Sequence, residues 1–292
     1  MPISRLFLTV MLNPPLSILC DDLLGCIVEH VAKLPSRDRQ LRNLSLADRA
    51  FTHLCQTYLF QTLRLEEPNR KISSKLKKIG NILKENPALA NSVRIIWLVL
   101  NHRNGWLFND PTFISTVKLL AESPRPPHEL CFGGAVISIM LEDPILVVER
   151  LAQSFFPQTL TTLTLTYCKN VPLSFFLVCP RLRTVELDHV APTKQGYDDY
   201  PDELCGGRDL PALEVFEYRD AYRLVKQMIT PPPRFHTPVV LWSNLRVLIL
   251  SPHEKKEMAC LQTILNAACN TLEELFLTSL RVAHSCRCSI AF

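Results

Sequence analysis

Glycine is scarce in this chain, with 8 residues in 292. Folds that cradle phosphates need glycines at fixed spacing, because only a residue without Cβ lets the backbone approach the ligand. Neither GxGxxG nor the GxxxxGK phosphate loop occurs. A surplus of one charge is also missing. Lys+Arg 32 against Asp+Glu 28 leaves +4, which argues against a dedicated nucleic-acid binder with its concentrated basic face. No uncharged apolar run reaches the ~18 residues of a spanning helix. The best candidate, Ala135 to Val148, is interrupted by Glu142, Asp143 and Pro144. There is no GxSxG elbow and no HExxH. His284-x-Cys286-x-Cys288 lacks the paired CxxC ligands of a zinc site, and Cys205-Gly206-Gly207 has no legible base beside it. Neither an enzyme nor a cofactor or metal site is expected.

What the chain does have is 47% hydrophobic residues, 22 prolines and 11 cysteines. The prolines mostly separate apolar runs, as in a fold of many short elements. The cysteines are odd in number and sit largely in apolar runs (Cys26, Cys55, Cys168, Cys260), which suits buried free thiols in a reducing compartment, cytoplasmic or nuclear. Met1 to Leu12 carries one basic residue and no clean cleavage site, which argues against a signal peptide.

From Asp21 to Val31 the residues Leu23, Leu24, Ile27, Val28 and Val31 share one helical face, with Asp21 and Asp22 in the first turn where carboxylates are favoured. Leu41, Leu44 and Leu46 form a second stripe. Ser45 to Asp48 reads as a loose capping box. Phe51, Leu54, Cys55, Tyr58 and Leu59 form a third stripe, followed by an extended Leu63-Arg64-Leu65. Three short helices in ~45 residues have too little volume to hide all these side chains among themselves, so a partner surface is expected.

These residues resemble the F-box family. Leu19-Cys20-Asp21-Asp22-Leu23-Leu24-x-x-Ile27-Val28 is similar to the F-box opening, and Leu41-x-x-Leu44-Ser45-Leu46-Ala47-Asp48-Arg49-Ala50-Phe51 to its second half. Cys20 stands where the family has proline, and Asp48 where it has cysteine. The resemblance implies docking of a Skp-type adaptor and its cullin complex through Leu19, Leu23, Leu24, Ile27, Val28, Leu41, Leu44, Leu46 and Phe51. It also implies that leucine-rich repeats follow and hold an unknown target protein, without nucleic acid or membrane.

Lys71 to Glu85 places Ile72, Leu76, Ile79 and Leu83 on one face among lysines. One reading is a surface that binds an acidic partner or a membrane; the favoured one is a solvated helix face on a repeat protein. After residue 90 a six-residue template recurs: Val93-x-x-Ile96-x-Leu98, Leu160-x-x-Leu163-x-Leu165, Leu182-x-x-Val185-x-Leu187, Leu213-x-x-Phe216-x-Tyr218, Leu245-x-x-Leu248-x-Leu250 and Leu272-x-x-Leu275-x-Leu277. Pro127-x-x-Leu130-x-Phe132 is a weaker copy. An apolar anchor precedes several copies by three residues: Cys179, Leu210, Trp242 and Cys269. The alternating pair in each copy suits a strand with one face buried, and the first position a turn into the next coil. Asp110-Pro111 and Asp143-Pro144 read as N-caps followed by proline at the first helical position.

The expected fold is α/β: an N-terminal three-helix F-box-like segment (12–65), a linker helix (66–92), an irregular leucine-rich repeat solenoid with a parallel sheet (93–281) and a disordered tail (282–292). A last repeat without a cap would expose its core layer. Two long segments, Asp188 to Leu210 with its acidic run and Thr230 to Pro238 with its proline run, read equally as partner-contact loops and as insertions where sequence drift is tolerated. The function that follows is substrate recognition for a Skp–cullin–F-box ubiquitin ligase. The alternative is a leucine-rich repeat scaffold with no ubiquitin role.

Overall fold

The computed structural model describes residues 20–34, 36–66, 72–100, 107–134, 139–153, 157–193, 209–230, 239–251, 257–277 and 288–291. The acidic run at Asp198–Glu203, the prolines at 231–233, Cys205 and His284 lie outside them.

The first described residues form helices α1 (Asp21–Ala32), α2 (Arg37–Ala47) and α3 (Arg49–Leu59). Asp48 ends α2 in an extended conformation and caps α3, its carboxylate accepting the Ala50 N–H at 2.9 Å. The cap expected at Ser45 is therefore made by Asp48. The Ser45 hydroxyl instead donates to the Arg42 carbonyl at 2.8 Å, within its own helix. Leu24, Val28, Leu41, Phe51 and Cys55 are buried together, with Val31, Leu44, Leu54, Tyr58 and Leu59 packed around them. This core is separate from that of the rest of the chain.

The rest is built on a nine-stranded sheet. Its strands are β1 (Thr62–Glu66), β2 (Ile95–Leu100), β3 (Glu129–Gly134), β5 (Thr162–Thr166), β7 (Thr184–Asp188), β8 (Val215–Arg219), β9 (Val247–Ser251), β10 (Glu274–Leu277) and β11 (Cys288–Ala291), in that spatial order. All neighbouring pairs are parallel except β10 with β11. A second small sheet pairs β4 (Ile139–Met140) with β6 (Cys168–Lys169). The tail expected to be disordered thus supplies, in Cys288–Ala291, an antiparallel edge strand.

The six-residue template aligns in register across the sheet. Leu63, Ile96, Leu130, Leu163, Val185, Phe216, Leu248 and Leu275 pair in one row, and Leu65, Leu98, Phe132, Leu165, Leu187, Tyr218, Leu250 and Leu277 in the next. The weak copy at Pro127 is a full member. So is Phe60-x-x-Leu63-x-Leu65, a further copy at the end of the 12–65 segment. The sheet therefore begins at Thr62 rather than at Val93.

The connections cover the face that these rows point into. They include α4 (Ile72–Glu85), α5 (Pro87–Ala90), α6 (Pro111–Ala121), α7 (Pro144–Val147), α8 (Ser174–Leu177), α9 (Tyr222–Ile229) and α10 (Glu257–Ala267). Leu76 and Leu83 of α4, Phe113, Val117 and Leu120 of α6, and Leu261 and Ile264 of α10 join one continuous core with the strand rows. Asp110 caps α6 by accepting from Thr112 N–H at 2.7 Å and Phe113 N–H at 3.1 Å, and Asp143 caps α7 by accepting from Leu146 N–H at 2.9 Å. Both sites carry the expected proline in the first turn. The upstream anchors Cys179 and Trp242 are buried, and each carbonyl accepts the N–H of the template's first leucine, Leu182 or Leu245. Cys269 departs from this role and is exposed.

Each of β5, β7 and β8 is followed by one residue with positive φ: Tyr167 (50°), His189 (55°) and Asp220 (47°). That left-handed step turns the chain out of the main sheet. After Tyr167 it enters β6, and Val171 then bridges Pro192.

Candidate functional site

The N-terminal helices divide their apolar residues between two faces of α1. Leu24 and Val28 point into the small core. Leu23 (51% exposed) and Ile27 (38%), one turn apart, point away from it. Leu46, at the end of α2, is 86% exposed. An isolated exposed leucine is ordinary, but a pair stacked on one short helix is an apolar strip that water solvates poorly. Cys20 and Cys26 are exposed on the same helix or its cap. Cys26 thus departs from the buried thiol expected of it.

The residues expected to dock a partner therefore separate. Leu24, Val28, Leu41 and Phe51 are enclosed and shape the unit. Leu44 packs partly against them. Leu23, Ile27 and Leu46 are available for contact. Leu19 lies outside the described residues. Cys20 sits at the N-cap of α1 without a side-chain hydrogen bond, whereas Asp48 has its capping partner.

No protein-family model matches the chain, and no curated protein matches it.

A second surface is the sheet face opposite the helices. One in-register row on it runs Arg64, Trp97, Cys131, Thr164, Glu186, Glu217, Ile249 and Phe276. Trp97 is 40% exposed, and the Arg64 guanidinium lies 4.6 Å from its ring centroid. The Thr164 hydroxyl donates to Glu186 at 3.4 Å. Burial, reinforced by the negative charge of Glu129, pushes the Cys131 thiol up to about 12. It is therefore protonated and a poor nucleophile.

Beyond the C-terminal ends of the strands, the Tyr167 and His189 rings stack at 4.7 Å, and His189 Nδ1 lies 2.8 Å from Asp188. Arg219 Nε is 3.9 Å from the same carboxylate. These contacts hold the left-handed turns of adjacent strands against one another. Among the described residues no group of His, Cys, Asp and Glu could hold a metal ion, and no helix is long and apolar enough to cross a membrane.

Proposed function

We propose that this chain is a substrate-recognition adaptor of a Skp–cullin–F-box type ubiquitin ligase. The N-terminal helices dock a Skp-type adaptor, and the following unit holds a target as a leucine-rich repeat solenoid. The observation that carries the reading is the division of α1. A helical unit with its own closed core still presents Leu23 and Ile27 outward, with Leu46 exposed at the end of the next helix. A segment that served only as a cap on the sheet would turn its leucines toward the sheet's core. The in-register rows and the single covered face support the solenoid part, since ordinary parallel sheets bury both faces. In this reading catalysis belongs to other subunits, and the adaptor acts by raising the target's effective concentration near them.

The test is capture of the purified chain by the Skp adaptor, compared with a Leu23→Asp, Ile27→Asp double variant. Leu24 is left intact because a charge there would unfold the unit. Binding by the unmodified chain and its loss in the variant, with unchanged helical circular dichroism, is the expected result. Failure of the unmodified chain to bind would sink the ligase role and leave the second reading, a repeat scaffold that binds through the Trp97-bearing sheet face.

A further inference from the structure

A groove of ≈ 1170 Å³ opens between α9 and the small β4/β6 sheet. One wall is a face of α9, with Arg223 and Lys226 three residues apart. The opposite wall carries Lys169 of β6. All three side chains are exposed, and among the described residues no Asp or Glu lines the groove. Met140, Ala191 and Pro192 provide apolar surface between the walls, and Met140 is 55% exposed. The backbone here is fixed. Asn170, at φ 66°, donates from Nδ2 to the Leu141 carbonyl at 2.8 Å, and Thr193 N–H donates to Val171.

The three cations contrast with the opposite rim of the sheet, where cations are paired with carboxylates. There Arg183 pairs with Glu214 at 2.9 Å, and Arg246 pairs with Glu273 at 2.7 Å. Cations on facing walls, with no carboxylate among the described lining residues, raise the local positive potential and favour an anionic occupant. The volume exceeds that of a typical small-molecule pocket, roughly 300–1,000 Å³, so a single small anion would leave most of it unfilled. The apolar strip with its flexible methionine suits a side chain that an anion alone does not have.

We propose that this groove binds an extended, carboxylate-rich segment of a partner protein, its acidic side chains reaching Lys169 on one wall and Arg223 and Lys226 on the other, with an apolar residue against Met140 and Pro192. Under the adaptor reading this segment belongs to the target. The binding itself does not require Skp, so the two proposals fail separately.

The probe is a fluorescein-labelled decapeptide of Glu and Leu, compared with its Gln and Leu counterpart by fluorescence anisotropy on the full chain. The Glu peptide is expected to bind at least ~10-fold more tightly than the Gln peptide, and to weaken as salt rises from ~50 to ~500 mM. Combined Lys169→Glu, Arg223→Glu and Lys226→Glu should weaken it at least ~10-fold. The same charge change made on α4 by Lys75→Glu, Lys77→Glu and Lys78→Glu should leave binding within about 2-fold, because those lysines lie elsewhere and their long-range effect is screened. Equal binding of the two peptides, equal loss in both triple variants, or displacement of the peptide by a single-stranded oligonucleotide that binds more tightly at the same residues would each overturn the assignment. Thermal melts of both variants identify any loss due to unfolding. In that event the single variant Lys169→Glu, on an exposed strand position, decides the matter by the same comparison.

Discussion

Two glycines show how differently one residue type can be constrained. Gly133 is the last residue but one of β3, at φ 156°, and a Cβ there would overlap the backbone carbonyl of Thr166 on the neighbouring strand. Neither atom can yield without breaking the parallel pairing. Gly133→Ala is expected to destabilise by about 2–4 kcal/mol, read from the urea midpoint. Gly25 lies within α1 with nothing within 4 Å of an added Cβ. Gly25→Ala should therefore stabilise the small helical unit by up to ~1 kcal/mol, through helix propensity alone. The cysteines separate in the same local way. Burial pushes the Cys168 thiol up and the Cys179 thiol up to about 12, while Cys20, Cys26 and Cys269 are exposed. Among these, maleimide at neutral pH should label the exposed set in native protein, and the buried pair only after denaturation. Rapid native labelling of Cys168 would contradict the packing described.

At the scale of elements, α1 makes the sharpest distinction. Leu24 is buried and Leu23 is half exposed, although they are adjacent and chemically identical. Leu24→Ala should cost about 2–5 kcal/mol in the helical unit, including the cavity left behind. Leu23→Ala should change stability by less than ~0.5 kcal/mol and, under the proposed function, weaken capture of a Skp-type adaptor. The rim pairs of the sheet give a pH dependence. The hydrogen bond from Arg246 holds the Glu273 carboxyl below its ordinary value of 4.5. Its folded value is therefore lower than its unfolded one, so its contribution is complete above pH 4.5 and is lost as pH falls through the depressed value. Both groups are solvent-exposed, and the effect should be small and screened by salt. The difference in urea midpoint between the unmodified chain and Glu273→Gln should shrink as the solution is acidified.

For the whole molecule, the separation of the two cores carries the main expectation. The helical core around Leu41 and Phe51 shares no buried residue with the sheet core. Unfolding should show two transitions rather than one, and Leu41→Ala should shift only the smaller. Coincidence of near-ultraviolet and far-ultraviolet transitions in every variant would disprove this. The strand rows were legible in advance because a period of two with one buried face leaves a direct mark on sequence, and the template at Leu160 or Leu245 needs little context to be read. The copy at Phe60 was obscured because its leucines also continued the helical resemblance. The open face, whose members are Trp97, Thr164 and Glu186 as much as Ile249, has no shared residue type and could not have been picked out.

Sequence by itself determined the alternating apolar rows, the Asp-Pro helix starts, and the presence of three amphipathic helices before the strands. These depend on spacing along the chain, and backbone geometry translates spacing directly into a shared face. Only the tertiary structure decided which of the neighbouring leucines on α1 would be covered, because that depends on where α2 and α3 cross it. It also decided that Lys169 would face Arg223 and Lys226 across one groove. Those residues are more than fifty positions apart, and stacking of successive strands brings them together.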